Sequence, residues 1–144
     1  MMLQKQISVF VENKRGRLAE ITKVLGDNDI DMRALSIADT TDFGILRIIA
    51  DKPDLAIKVL KDEGFAVSIT EVITLLVDDK PGGLAAALEV FDAHDINIEY
   101  MYHLITKEAD KAAIIMRVNK PAEVVEKLKD TSITLLSSQD MEKI

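Results

Sequence analysis

The sequence predicts an α+β protein made of two ferredoxin-like βαββαβ repeats, packed side by side into one antiparallel sheet with the helices on one face. Three observations predict it. The first is a duplication: Glu12–Leu18 (ENKRGRL) returns as Asp78–Leu84 (DDKPGGL), and Asn28–Asp31 returns as His94–Asn97, both at an offset of 66 residues. About nine of the roughly twenty-nine aligned positions from Ile7 onward are identical. The second is the apolar periodicity, which runs strand, helix, strand, strand, helix, strand in each copy. The third is the junction Phe65–Val77, which contains no Gly or Pro, so the copies join almost strand to strand. The domains expected are residues 1–71 and 72–144.

In the first copy, Ile7–Val11 alternates apolar residues as a strand and ends at the charged turn Glu12–Gly16. Leu18, Ile21, Val24 and Leu25 then form the apolar stripe of a helix, stopped by Gly26 and Asp27. Asp31–Ala38 reads as a second strand, Asp39–Asp42 as a polar hairpin turn and Phe43–Ala50 as the returning strand. Asp51 is placed to cap a helix that opens with Lys52-Pro53, carries Leu55, Val59 and Leu60 on its apolar side and stops at Gly64. Phe65–Thr70 is the fourth strand. The second copy repeats the order with strands Val72–Val77, Asn97–Ile105, Lys111–Val118 and Ile133–Leu136, and helices Leu84–Ala93 and Pro121–Lys129. Lys52-Pro53 matches Lys120-Pro121 at an offset of 68, so the second hairpin is two residues longer and Asn119 takes the place of Asp51 as N-cap.

Composition narrows the function. A net charge of −7 argues against a nucleic-acid or anionic-membrane partner, which would need clustered Lys and Arg. Zero cysteines exclude a disulfide framework, a thiolate metal site and a cysteine nucleophile. The N-terminal residues lack a signal-peptide pattern and Val72–Val77 is too short to span a bilayer, so a cytoplasmic protein is expected. His94 and His103 stand isolated, which argues against a metal site or catalytic dyad, and Arg47 and Arg117 are expected to face solvent or pair with an acid. Met32, Met101 and Met116 read as core.

The first strand-to-helix turn is the feature kept in both copies. Gly16 and Gly82 allow a tight turn, and the amides of Arg17, Leu18, Gly83 and Leu84 should point outward at a helix N-terminus, a setting that favours a carboxylate. Asn13 or Asp79 sits beside each turn, and Asp31 or Asn97 opens the second strand next to it; these can hold an ammonium or an amide. Together they describe a site for a free α-amino acid. Turn chemistry alone also explains a Gly near Asp or Asn, but recurrence of all four positions after duplication favours function. Tyr100 and Tyr102 lie in phase on one strand face, either walling the ligand side chain or filling an interface under the helices, and their counterparts Ala34 and Ser36 are small.

The run ENKRGRL, helix, DNDIDMRAL, with its partner DDKPGGL and HDINIEYMY, resembles the ACT domain, the small-molecule-sensing module attached to many enzymes of amino-acid metabolism. The resemblance covers nearly the whole chain; Lys80-Pro81-Gly82-Gly83-Leu84 has the typical form, whereas Lys14-Arg15-Gly16-Arg17-Leu18 lacks the proline. It implies a ligand held where two modules pair, by the turn of one and the second strand of the other. Carried over, that implicates Asn13, Gly16, Arg17, Leu18 and Asp31 in the first copy and Asp79, Gly82, Gly83, Leu84 and Asn97 in the second. The resemblance implies an amino-acid-binding regulatory protein without cofactor, metal or catalytic residues, whose partners are a free amino acid and a metabolic enzyme or regulator. A trans-acting subunit like those of acetolactate synthase is the natural extension. An uncharacterised ferredoxin-like enzyme is the alternative from another class, although no nucleophile lies in a recognisable setting. Open sheet edges need cover, so a homodimer is expected.

Overall fold

Each copy folds in the expected order of strand, helix, strand, strand, helix, strand. The computed structural model describes residues 2–12, 14–39, 42–106 and 110–143. In chain order the elements are β1 (Gln4–Glu12), α1 (Arg17–Asp27), β2 (Met32–Asp39), β3 (Phe43–Ala50), α2 (Pro53–Asp62) and β4 (Val67–Asp78), then α3 (Gly83–Ala93), β5 (Ile98–Leu104), β6 (Lys111–Val118), α4 (Pro121–Leu128), β7 (Thr134–Leu135) and α5 (Ser138–Lys143). The chain divides into two units, Lys5–Thr70 and a second that takes Glu71 onward together with the N-terminal residues up to Gln4.

In the first unit β1 lies antiparallel to β3, with Val9 opposite Leu46 and Ile7 opposite Ile48, and β2 covers the outer edge of β3. The chain returns along the other edge of β1, where the Phe10 amide donates to the Ala66 carbonyl at 3.0 Å. The alternation read from the sequence puts Ile7, Val9 and Val11 on one face with Leu46 and Ile48, and that face packs on Ile21 and Leu25 of α1 and Ala56 and Leu60 of α2. Both helices therefore cover the same side of this sheet. Burying each such large aliphatic side chain contributes about 1.5–3 kcal/mol. The second unit repeats the plan: β6 lies between β4 and β5, β7 pairs the other edge of β4, and Ile73, Leu75 and Met116 pack on Phe91 of α3 and Leu128 of α4.

The structure corrects several expectations. Phe65–Thr70 and Val72–Val77 are not two strands: Val67–Asp78 is one unbroken β4 of 12 residues. With no Gly, Pro or turn pair in this stretch, nothing interrupts extended backbone. Asp51 and Asn119 do not cap; Lys52 and Lys120 hold the N-cap positions without a side-chain bond. Asp51 instead accepts the Asp31 amide at 2.9 Å while its own amide donates to the Asp31 carbonyl. Met101 is exposed rather than core, because its strand β5 is the edge of its sheet. α5 lies beyond the last expected element; Ser137 and Asp140 cap it reciprocally, with Ser137 N donating to Asp140 Oδ2 at 2.9 Å and Asp140 N to Ser137 Oγ at 3.1 Å. Part of the hairpin turn expected at Asp39–Asp42 lies outside the described residues.

Candidate functional site

The two strand-to-helix turns are built alike. Gly16 (φ 89°) and Gly82 (φ 85°) both adopt the left-handed conformation that side chains resist, which swings the chain from strand into helix. In the first copy the Lys14 amide donates to the Glu12 carbonyl and the Arg17 amide to Lys14; in the second, Lys80 donates to Asp78 and Gly83 to Lys80. The amides of Arg17 and Gly83, expected to be free for a ligand, are thus engaged inside the turn. Those of Leu18, Ala19, Leu84 and Ala85 remain in the first helical turn, where no intrahelical carbonyl is available to them. Leu18 is exposed and Leu84 packs against the core of its unit. Asp79 is exposed and anchors its turn by donating its amide to the Asp110 carbonyl at 2.9 Å. Asn13 lies outside the described residues.

The structure does not bring the second-strand residues to these turns within a copy. Glu12, at the turn end, pairs with Phe43 at the start of β3, whereas Met32, next to Asp31, pairs with Ala50 at the far end of β3. Helix α1 separates Gly16 from Asp31 by its whole length of 11 residues, about 16 Å. Asn97 stands equally far from Gly82, since Asp78 pairs with Lys111 and Ile98 with Val118. The starts of β2 and β5 share a different feature. A register shift falls between Met32 and Ala34 and recurs between Ile98 and Tyr100, positions related by the duplication. Such bulges re-aim side chains and cluster near functional positions. Tyr100 and Tyr102 are half-buried opposite Arg117 and Ile115, out of phase with the core residues Ile114 and Met116. They stand on the sheet face away from α3 and α4, so they do not fill an interface under the helices. Arg117 pairs with an acid as expected, Nε to Glu99 Oε2 at 3.2 Å, and also donates to the Glu71 carbonyl.

A cleft of about 310 Å³ opens beside the first turn, between the end of β1, Arg17, Phe43 and the segment Glu63–Ala66. The rings of Phe10 and Phe43 meet edge to face there, with centroids 6.4 Å apart and planes at 67°. Lys14 hydrogen-bonds the Glu12 carboxylate at 2.8 Å and holds its pKa below the usual glutamate range. In the second copy Asp78 takes the place of Glu12, and Lys111, hydrogen-bonded to it, holds its pKa low in the same way.

A family model described as the ACT domain pair matches residues 2–144. The chain belongs to this family. A crystal structure of a Bacteroides thetaiotaomicron protein is 42% identical to the ACT pair, covering 99% of this chain and 98% of that one with a TM-score of 0.91. Two more distant structures share the fold: the regulatory subunit of aspartate kinase from Thermus thermophilus (12% identity, 86% and 89% covered, TM-score 0.65) and that from Thermus flavus (15%, 87% and 89%, TM-score 0.61). No curated protein matches the chain. No described helix of the ACT pair is long and apolar enough to cross a membrane.

The two ACT modules differ at the cleft. Arg17 of the first corresponds to Gly83 of the second, where an added Cβ would collide with the Asp78 carbonyl oxygen. Phe43 corresponds to Lys111, the partner of Asp78. Phe10, Phe43 and Glu63 were not picked out from the sequence. The available signal was Phe10, an aromatic on the outward phase of a strand whose inward phase is already apolar.

Proposed function

We propose that this ACT pair is a regulatory protein that binds a free α-amino acid at its strand-to-helix turns. Family membership supports a ligand-binding regulatory role, and the observation that carries the finer reading is the recurrence of one backbone device. Both copies place a left-handed Gly before a helix whose second and third amides, Leu18 and Ala19 or Leu84 and Ala85, have no intrahelical acceptor, an arrangement suited to the ligand carboxylate. The groups at the turns are amides, ion-paired lysines and carboxylates, a set for holding a zwitterion rather than reacting with it. Asp31 and Asn97, at the far end of each first helix, would serve the ammonium only from a second ACT module. Control of a metabolic enzyme follows if the ligand binds two arrangements of the protein with different affinity.

A thermal-shift screen against the twenty amino acids tests this. A ligand present at a hundred times its Kd adds about 2.7 kcal/mol of stability and raises the melting temperature. No shift with any amino acid at millimolar concentration would remove the sensor reading.

A further inference from the structure

The cleft of the first copy carries chemistry beyond the shared turn. Its volume of about 310 Å³ lies at the small end of the roughly 300–1,000 Å³ usual for ligand pockets, the size for a single amino acid rather than a nucleotide. Phe10 and Phe43 are 57% and 51% exposed. Two exposed aromatic rings in contact leave apolar surface that a bound side chain would remove from water. Among the described residues the Arg17 guanidinium forms one ion pair, Nη1 to Glu20 at 3.0 Å, which uses part of its five donors.

Glu63 is the informative acid. Glu12 is already taken by Lys14, whereas the Glu63 carboxylate forms no ion pair among the described residues. It sits at the C-cap of α2, the negative end of a helix, where an acid is locally unfavourable. Gly64, with φ 88°, bends the chain so that Glu63 and Phe65 both line the cleft. A carboxylate kept against the helix dipole and without a cation is placed to meet one from solution.

We propose that this cleft selects an α-amino acid with an aromatic or large apolar side chain: side chain against Phe10 and Phe43, carboxylate between Arg17 and the amides that open α1, ammonium on Glu63. The inference rests on the amino-acid reading above and assigns its ligand class. It also separates the two copies. In the second, Lys111 occupies the place of Phe43 on Asp78, and Thr131 that of Glu63, so neither the ring pair nor the free acid is present there.

Isothermal calorimetry with L-phenylalanine, L-leucine, glycine and L-aspartate on the wild type, Phe43→Ala and Glu63→Gln tests it. Both side chains lie at the surface, so the variants should keep the wild-type circular dichroism and melting temperature. The expected result is tighter binding of phenylalanine and leucine than of glycine or aspartate. Phe43→Ala should weaken phenylalanine roughly three- to tenfold, and Glu63→Gln about tenfold or more, as for loss of a charged hydrogen bond. Glycine or aspartate binding as tightly as phenylalanine, or phenylalanine affinity unchanged in both variants, overturns this assignment and leaves the sensor reading standing. No binding by any of the twenty amino acids overturns both.

Discussion

At the scale of single residues, the second turn depends on two neighbouring glycines for different reasons. Gly82 needs its left-handed φ of 85°, whereas Gly83 needs the absence of a Cβ against the Asp78 carbonyl oxygen. Gly82→Ala should lower stability by about 1–2 kcal/mol, the cost of a side chain in that conformation. Gly83→Ala should cost about 1–3 kcal/mol, since backbone rather than a flexible side chain stands in the way. Urea denaturation monitored by circular dichroism measures both; a Gly83→Ala protein as stable as the wild type would show that the turn opens without strain. The glycines were legible because they recur at the duplication offset. The engagement of the Arg17 and Gly83 amides was not, since which amides a turn consumes depends on carbonyl positions that residue types do not encode.

At the scale of elements, the principal strands and helices of each copy follow from apolar periodicity, with ends mostly within a residue or two of those expected. The exceptions have local causes. β4 absorbed two expected strands because no breaker separates them, and α5 escaped notice because six residues are too few to show a period. Its capping pair, Ser137 and Asp140, was readable. Asp51 had the right residue type for an N-cap and was drawn instead to the Asp31 amide, a partner 20 positions away that only the fold supplies. Ser137→Ala should destabilise α5 by about 1 kcal/mol. It should also speed hydrogen exchange of the α5 amides, with Met141 losing its burial. The Ser137 amide, and then its hydroxyl, hold the Asp140 carboxyl below the usual aspartate range. A lowered folded pKa means that this contribution is complete above the ordinary aspartate pKa and is lost as pH falls through the lowered one. Acid should therefore loosen α5 in the wild type, and exchange rates independent of pH through that window, after correction for intrinsic exchange, would contradict the cap.

At the scale of the whole molecule, both outer strands leave apolar side chains uncovered. Leu35 on β2 is 52% exposed, Met101 at the equivalent place on β5 is 40% exposed, and Ile105 just past β5 is 74% exposed. Edge strands carrying such residues invite pairing with another copy. Light scattering should give a homodimer of about 32 kDa, twice the 16.0 kDa chain, and Leu35→Lys should shift it towards monomer; a wild-type monomer at high micromolar concentration would remove this expectation. The N-terminal residues have a different attachment. Gln4 is buried in the second unit, donating to the Leu136 carbonyl at 3.0 Å and accepting from Thr74 at 2.9 Å, partners 132 and 70 residues further along the chain. On a ribosome the first unit has all its strands once Thr70 has emerged, well before Leu136 is made. Gln4 must therefore wait for its Leu136 partner until long after the first unit is complete, so a late-made segment fixes where the start of β1 rests.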